Sequence, residues 1–533
     1  MSNKNVEHAD IVIIGAGFSG MYAIHRLRNY KVVCLESGAG VGGTWYWNRY
    51  PGARVDIQSV EYSYGFDEKL QQEWHWPEYF SAQPDLERYA NHVADRFDLR
   101  EHIRFSNPVK SMQFDEVENR WHVYTDNGDH LLCRYVIAAT GSLTAPNMPP
   151  WPGRDRFKGD IYHTARWPAQ GVDFAGKRVG FIGTGSTGIQ AMPIIAEQAQ
   201  ELVVFQRTPA FCMPSGNRPL DQAYEQDWKA NYEDRRRQML QTYGASIIEY
   251  PTATAAECSP EQQAEILEQA WNSKSSFQLL FAFRDVMTNA AANELVCEFV
   301  RDKIRSIVKN PETATSLCPT TYPIGGKRLC IGNGYYDMYN RDNVTLVDVK
   351  ESPIAEFTES GLRTLSADYD LDVIITATGF DAVTGAMSRI DIQGSNKSTL
   401  TDKWAEGPTT YLGAMVSGFP NMFMIHGPST PAAQAQMITT GEWQVNWTAD
   451  IIDRMEHEGL VHIDATEQAE QQWAEEVDMV SEQSLHKFAD SWYNGKNIEG
   501  KKGGFMIYVG GFPRFAELCD SAVANGYEGF IRK

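Results

Sequence analysis

The sequence predicts an α/β fold made of two Rossmann-like dinucleotide-binding domains with an inserted helical subdomain. Two glycine turns and the strands around them carry that expectation. The apolar run Asp10-Ile-Val-Ile-Ile-Gly15 enters the turn Gly15-Ala-Gly17-Phe-Ser19-Gly20. The run Lys177-Arg-Val-Gly-Phe-Ile-Gly183 enters Gly183-Thr184-Gly185-Ser186-Thr187-Gly188 in the same way. Helical composition follows each turn, at about Tyr22 to Arg28 and about Gly188 to Gln198, and then an apolar strand, Lys31 to Glu36 and Glu201 to Gln206. The chain therefore repeats one βαβ design.

Each unit is later joined by an apolar strand that ends in a glycine turn, Val136-Ile-Ala-Ala-Thr-Gly141 and Val373-Ile-Ile-Thr-Ala-Thr-Gly379. Antiparallel signals precede them, around Asn127-Gly128 and Ser360-Gly361. Between Pro219 and Pro319 the composition turns charged and helical, and Leu295, Val296, Phe299, Val300, Ile304, Ile307 and Val308 share one helical face. The charge run Asp234-Arg-Arg-Arg237 reads as a solvated face. The first unit alone has too few strands for a full sheet, so the chain is expected to return to it after Gly379. The expected limits are 1–150 with 380–533 for the first domain, 151–218 with 320–379 for the second, and 219–319 for the helical insertion.

The 533 residues are long enough for two or three cores. A formal charge of -21 and a pI near 5.1 argue against nucleic acid or an anionic membrane surface as partner, because both are bound through basic patches. No apolar run approaches the ~20 residues of a membrane span, and the polar start before Ile11 leaves no room for a secretion signal. The eight cysteines form no CxxC pair and no zinc-like spacing. The expectation is a cytoplasmic protein with reduced thiols, no metal, and small-molecule ligands.

The strands after the two turns end differently. Glu36 closes the first, where a carboxylate can accept hydrogen bonds from ribose hydroxyls, which suits FAD or NAD. The second runs into Gln206-Arg207-Thr208, a cation and a hydroxyl that suit a 2'-phosphate and so favour NADPH.

Two longer patterns carry a resemblance. Phe157-Lys-Gly159-Asp-Ile-Tyr-His163-Thr-Ala-Arg-Trp167-Pro168 fits FxGxxxHxxxW(P/D) at every defined position, and Gly42-Gly43-Thr44-Trp45-Tyr-Trp-Asn-Arg-Tyr50-Pro51-Gly52-Ala-Arg54-Val-Asp56 fits a second. The sequence resembles the type I (class B) Baeyer-Villiger monooxygenases over nearly its whole length and looks similar to the phenylacetone, steroid and cyclohexanone monooxygenases. The resemblance implies FAD on Gly15, Gly17, Ser19, Gly20, Glu36, Thr44, Trp45, Asp56, Tyr62, Val109 and Met437. It implies NADP on Arg54, Thr184, Gly185, Ser186, Thr187, Gly188, Gln190, Arg207, Thr208, Lys327, Arg328 and Trp492, the last on a loop that closes over the nicotinamide.

In this chemistry a reduced flavin captures O2 as a C4a-peroxide that must stay deprotonated to attack a ketone. Arginine is suited to stabilising it, because it keeps its proton at any ordinary pH where a desolvated lysine can lose one. The family's Lys-Arg pair before Tyr-Tyr matches Lys327-Arg328 before Tyr335-Tyr336. The resemblance thus implies that Arg328 stabilises the peroxyflavin and the Criegee adduct, that Asp56 holds Arg328, and that Lys327 joins Arg207 at the 2'-phosphate. It gives His163 a conformational role. Thr430, Pro431, Ala432 and Ala433 are expected on the substrate wall.

The expected activity is an NADPH- and O2-dependent insertion of one oxygen next to a ketone carbonyl, giving an ester or lactone, in a monomer or weak homodimer. An N- or S-oxygenating flavin monooxygenase shares both glycine turns but lacks Trp167-Pro168 and the Arg328 motif. A flavin disulfide reductase would need a redox CxxC. A non-catalytic NADPH-binding redox sensor would have no use for Arg328.

Overall fold

The computed structural model describes residues 6–273, 277–496 and 504–533. Strand β1 (Ile11–Ile14) is fully buried and leads through the glycine turn into α1 (Phe18–Arg26). The helix starts before the expected Tyr22 because extended Gly17 caps it and the turn's last residues already take helical backbone. Strands β2 (Val32–Leu35), β3 (Ile103–Arg104) and β4 (Tyr135–Ala138) follow, with an antiparallel run over Val109–Asp115, Arg120–Thr125 and His130–Cys133 before β4.

The second unit begins with β5 (Asp160–His163), then β6 (Arg178–Ile182), α2 (Ser186–Gln198) and β7 (Glu201–Gln206). The charged stretch forms α3 (Gln222–Ala230), α4 (Tyr232–Leu240) and α5 (Ala290–Ile307), with a further helix over Pro260–Trp271 between the last two. Strands β8 (Val344–Asp348) and β9 (Val373–Thr376) then join the second unit, while β10 (Met422–Met424) and α6 (Met437–Glu458) pack with the first.

Two five-stranded parallel sheets result, ordered β10-β4-β1-β2-β3 and β8-β7-β6-β9-β5. Strands buried on both faces explain why β1, β4 and β9 read as unbroken apolar runs and not as alternating ones. In each sheet the strand before the glycine turn has its immediate successor on one side and a later strand on the other, β2 and β4 about β1 and β7 and β9 about β6. That reversal of order opens a crevice beyond the strand's carboxyl end, the position where such sheets bind ligands.

The helical stretch is divided between two cores. Trp228, Tyr232 and Met239 of α3 and α4 join the core beside the first sheet, whereas Val296, Cys297, Val300 and Ile304 of α5 join the core beside the second. The Asp234–Arg237 run departs from the solvated face expected of it. Arg236 lies on the helical face of Tyr232 and Met239, donates to Thr439 Oγ1 and the Ser63 carbonyl, and pairs with Glu442 of α6 at 3.4 Å. Helical spacing places it inward while Asp234 and Arg237 stay exposed. Among the described residues no helix is long and apolar enough to cross a membrane.

Candidate active site

At the first turn Gly15 adopts φ +101°, and a Cβ there would lie 2.6 Å from the Ala139 carbonyl oxygen. A Cβ on Gly20 would lie 1.9 Å from the Gly15 oxygen, and one on Gly43, at φ +56°, 2.9 Å from Gly17 Cα. Backbone thus approaches backbone without side chains, leaving the start of α1 as a bare cradle of N–H groups suited to a pyrophosphate. Glu36 is buried and accepts from Ala16 N at 2.7 Å and Gly38 N at 2.6 Å, so its carboxylate is fixed at the rim of the crevice with acceptor capacity remaining.

Around this cradle Trp45 donates to the Tyr62 hydroxyl at 3.1 Å, Ser19 stands against Gly441 of α6, and Met437 opens that helix. Thr44 is exposed at the start of the short helix Thr44–Trp47. Val109 begins the antiparallel run just past Asn107, whose N–H bonds the Glu36 carbonyl. These residues fit a flavin dinucleotide lying along the crevice.

The second turn repeats the geometry. Gly183 has φ +108°, with Ala377 O 2.4 Å from a built Cβ, and a Cβ on Gly188 would meet Gly183 O at 2.4 Å. Gly185 has open space where its side chain would be. Thr184 donates to the Thr208 carbonyl at 2.9 Å, which ties the turn to the end of β7. Arg207 is exposed beside it. Lys327 sits 4.9 Å from the Tyr322 ring, and burial together with the facing Arg207 lowers its pKa. Two cations held together at a helix start fit a phosphate dianion.

The two units meet at a few contacts. Gln190 of α2 accepts from the Tyr50 hydroxyl at 2.9 Å and donates to the Arg54 carbonyl at 3.2 Å. Thr187 reaches the same Tyr50 hydroxyl. Gly52 passes so close to α2 that a Cβ would lie 2.3 Å from Gln190 O. The Arg54 guanidinium bonds Glu78 at 3.2 Å and the Phe80 carbonyl at 3.0 Å.

Arg328 lies at this junction. Its Nε and Nη2 donate to the two oxygens of Asp56, each at 2.8 Å, and Phe277 covers the guanidinium at 4.9 Å. Burial opposes the charge, but the Asp56 carboxylate outweighs it and raises the pKa further. Cys330, two residues on, brings its Sγ within 3.4 Å of Ser186 Oγ at the start of α2. Tyr62, bonded to Trp45 beside the first cradle, feels both Asp56 and Arg328, and burial pushes its phenol up to about 12.

Arg328 lines a partly enclosed cleft, with Ile57, Phe277, Leu280, Phe281 and Leu329 as its apolar surface and Ser246, Gln434 and Tyr493 as polar groups. Among the described residues of the loop expected on the substrate wall, only those just after Ala433 reach this cleft. Gln434 and Ala435 line the cleft, while Thr430 is buried and donates to Gly427 O at 2.8 Å. Pro431 and Ala432 are buried behind them, and the side chain of Ala433 lies outside what is described.

Trp492 packs on Leu143, Ala382, Val383 and Met506 at the segments joining the two sheets. Its neighbour Tyr493 is the one whose phenol faces the cleft, and sequence reading missed it. Only its adjacency to Trp492 could have signalled it.

The Phe157–Pro168 segment is structural in its placement. Phe157 is buried under the second sheet, and a Cβ on Gly159 would meet the Asp372 carbonyl at 2.3 Å. His163 ends the edge strand β5, paired with Thr376 of β9. Its Nδ1 accepts from Ala165 N at 3.1 Å, which leaves the proton on Nε2, and burial lowers its pKa to about 4. Trp167 packs tilted against Tyr162 and Phe174, with Pro168 ending the segment.

The sequence matches the FMO-like flavin-binding monooxygenase family over residues 8–252. It is 41% identical to a Baeyer-Villiger monooxygenase of Pseudooceanicola batsensis, covering 98% of this chain and 96% of that protein. It is 39% identical to a cyclohexanone 1,2-monooxygenase of an Acinetobacter species, covering 98% of this chain and 96% of the relative. The structure superposes on OTEMO in complex with FAD and NADP with a TM-score of 0.95 at 40% identity, covering 99% and 100% of the two chains. A bare cradle beside Glu36, a second beside Arg207 and Lys327, and full-length identity of this order lead to one conclusion: the chain belongs to the Baeyer-Villiger monooxygenases, flavoenzymes that use FAD and NADPH.

Proposed function

We propose that this enzyme inserts one atom of O2 beside the carbonyl of a ketone to give an ester or lactone, with FAD on the Gly15 turn, NADPH on the Gly183 turn and the ketone in the cleft beside Arg328. Bound FAD supplies the activation of O2, and NADPH supplies the hydride. The observation that carries the reading is the two-point Arg328–Asp56 pair between the two cradles.

Arg328 holds a positive charge where negative charge develops on oxygen, and its pKa lies too high for it to surrender a proton there. Asp56 takes two edges of the guanidinium, fixing its plane against Phe277. Burial pushes the Tyr493 phenol up to about 12, so it is a second donor that stays protonated. Ile57, Phe277, Leu280, Phe281 and Leu329 keep the reaction zone poor in water. Lys327 and Arg207 select the 2'-phosphate, and His163, neutral above acid pH, holds the edge strand where the two sheets are joined.

A panel of cyclic, aromatic and steroidal ketones tests the proposal. At least one should raise NADPH consumption and give a product heavier by one oxygen that fragments as an ester or lactone. Peroxide alone with every ketone, or oxygenation of amines and sulfides only, would refute it.

A further inference from the structure

The cleft wall formed by Gly244, Ser246 and Ile248 belongs to the irregular loop after α4. Ala245 within it holds φ +48°, a left-handed backbone that an L side chain adopts only when its surroundings impose it. Thr242 Oγ1 accepts from Ser246 N at 3.0 Å, and Gln436 N donates to Gly244 O at 2.8 Å. Thr242 Oγ1 also donates to Ser246 O at 2.8 Å, and Gly244 N donates to the Tyr250 hydroxyl at 3.2 Å. The anchor from outside the loop's own neighbourhood is Glu61. Its Oε2 accepts from the Ser246 hydroxyl and from Ile247 N at 3.2 Å, and it is 2% exposed.

Glu61 also reaches the other side of the cleft. Its carbonyl accepts from Gln436 Nε2 at 2.5 Å, and Gln436 directly follows the cleft-lining Gln434 and Ala435. On its own segment lie Asp56, which holds Arg328, and Ile57, which lines the cleft. The Glu61 side chain therefore holds the wall and its backbone carbonyl holds the Gln434 loop, both from the segment that orients Arg328.

We propose that Glu61 is a positioning residue that fixes the Gly244–Ile248 wall relative to Arg328 and thereby sets which ketones the cleft accepts, an inference that rests on reading the cleft as the ketone site. The groups facing the carboxyl are Arg235 and Arg236 of α4, which favour its charge, with Tyr224 of α3 and Tyr250 of the loop nearby. Burial outweighs the arginines and raises the pKa to about 7. The ionised carboxylate is the stronger acceptor for Ser246 and Ile247, so the wall is held most firmly above neutrality.

The test uses the FAD-loaded enzyme. In Glu61→Gln, amide exchange over residues 244–248, corrected for intrinsic rates, should accelerate about tenfold, the scale of one charge-assisted hydrogen bond. The change of protection that the unaltered enzyme shows around pH 7 should vanish. KM for bulky ketones should shift several-fold relative to small ones while kcat and KM for NADPH stay within twofold, a split that general misfolding does not give. Ser246→Ala, which removes one of the two bonds, should shift both readouts in the same direction by less, and it serves if Glu61→Gln does not fold.

Native protection in both variants would overturn the anchor. Lost protection with an unchanged ratio of kcat/KM between bulky and small ketones would overturn the positioning role while leaving the ketone reading intact. Absence of any ketone turnover by the unaltered enzyme would overturn that reading and the inference that rests on it.

Discussion

Arg328 and Asp56, far apart in sequence, meet through two parallel hydrogen bonds of 2.8 Å that fix both the position and the plane of the guanidinium. A lysine at that position keeps charge but not the two-point contact, and its ammonium can lose a proton in a desolvated cleft. Arg328→Lys and Arg328→Ala should each lower oxygen insertion by roughly 100-fold or more, the usual scale for losing a preorganised charge-stabilising donor. Flavin reduction by NADPH, followed anaerobically at the flavin absorbance, should stay within a few-fold of normal. Equal losses in both half-reactions would contradict the assignment.

Lys327 feels Arg207 more strongly than the opposing Asp490 carboxylate, and a dianion relieves that repulsion. Lys327→Ala should raise KM for NADPH roughly 10- to 100-fold, the scale of a charge-assisted bond to phosphate, and leave KM for NADH nearly unchanged. Steady-state comparison of the two cofactors at fixed ionic strength decides it. A parallel rise for both would place Lys327 away from the 2'-phosphate.

The glycines of the two turns should respond differently to alanine. Gly20→Ala forces a Cβ to 1.9 Å from the Gly15 carbonyl, so the turn must open, and the purified protein should retain little FAD and melt several degrees lower. At Gly185 nothing lies within 4 Å of the added Cβ, and the backbone is one that alanine adopts readily. Gly185→Ala should keep the melting temperature and weaken only NADPH binding, by crowding the approach of the pyrophosphate. Calorimetry and cofactor titration separate the two outcomes.

His163 ties pH to stability. Its folded pKa of about 4 lies below the ordinary value of 6.5, so the unfolded chain binds the proton first as pH falls. The stabilisation is complete above about 6.5 and is lost between 6.5 and 4, up to roughly 3 kcal/mol at 1.36 kcal/mol per unit. Thermal scans should show the gap between the unaltered protein and His163→Asn shrinking over that window. A constant gap would mean that the imidazole does not titrate with unfolding.

Local chemistry made much of this legible in the sequence. Gly15, Gly20, Gly183 and Gly188 announce themselves because only glycine tolerates the crossing of backbones at the turns. Arg328 and Asp56 were legible only through the family resemblance, since adjacent cations on a loop are ordinary. Contacts set by distant segments left no local trace. Arg236 reads as one charge in a solvated run until α6 brings Glu442 to it. Glu61 reads as a strand or loop carboxylate until Ser246 closes on it. Which of Thr430 to Ala435 faces the cleft is likewise invisible in the sequence, because it depends on the turn that buries Thr430 against Gly427.

Oxygen from O2 should end up beside a ketone carbonyl at the expense of NADPH. Turnover of an accepted ketone under ¹⁸O2 in ordinary water, with mass spectrometry of the product, measures this directly. One ¹⁸O atom per ester or lactone is expected, with one NADPH consumed for each. Product carrying only ¹⁶O, or NADPH oxidised with all the ¹⁸O recovered in hydrogen peroxide, would contradict it.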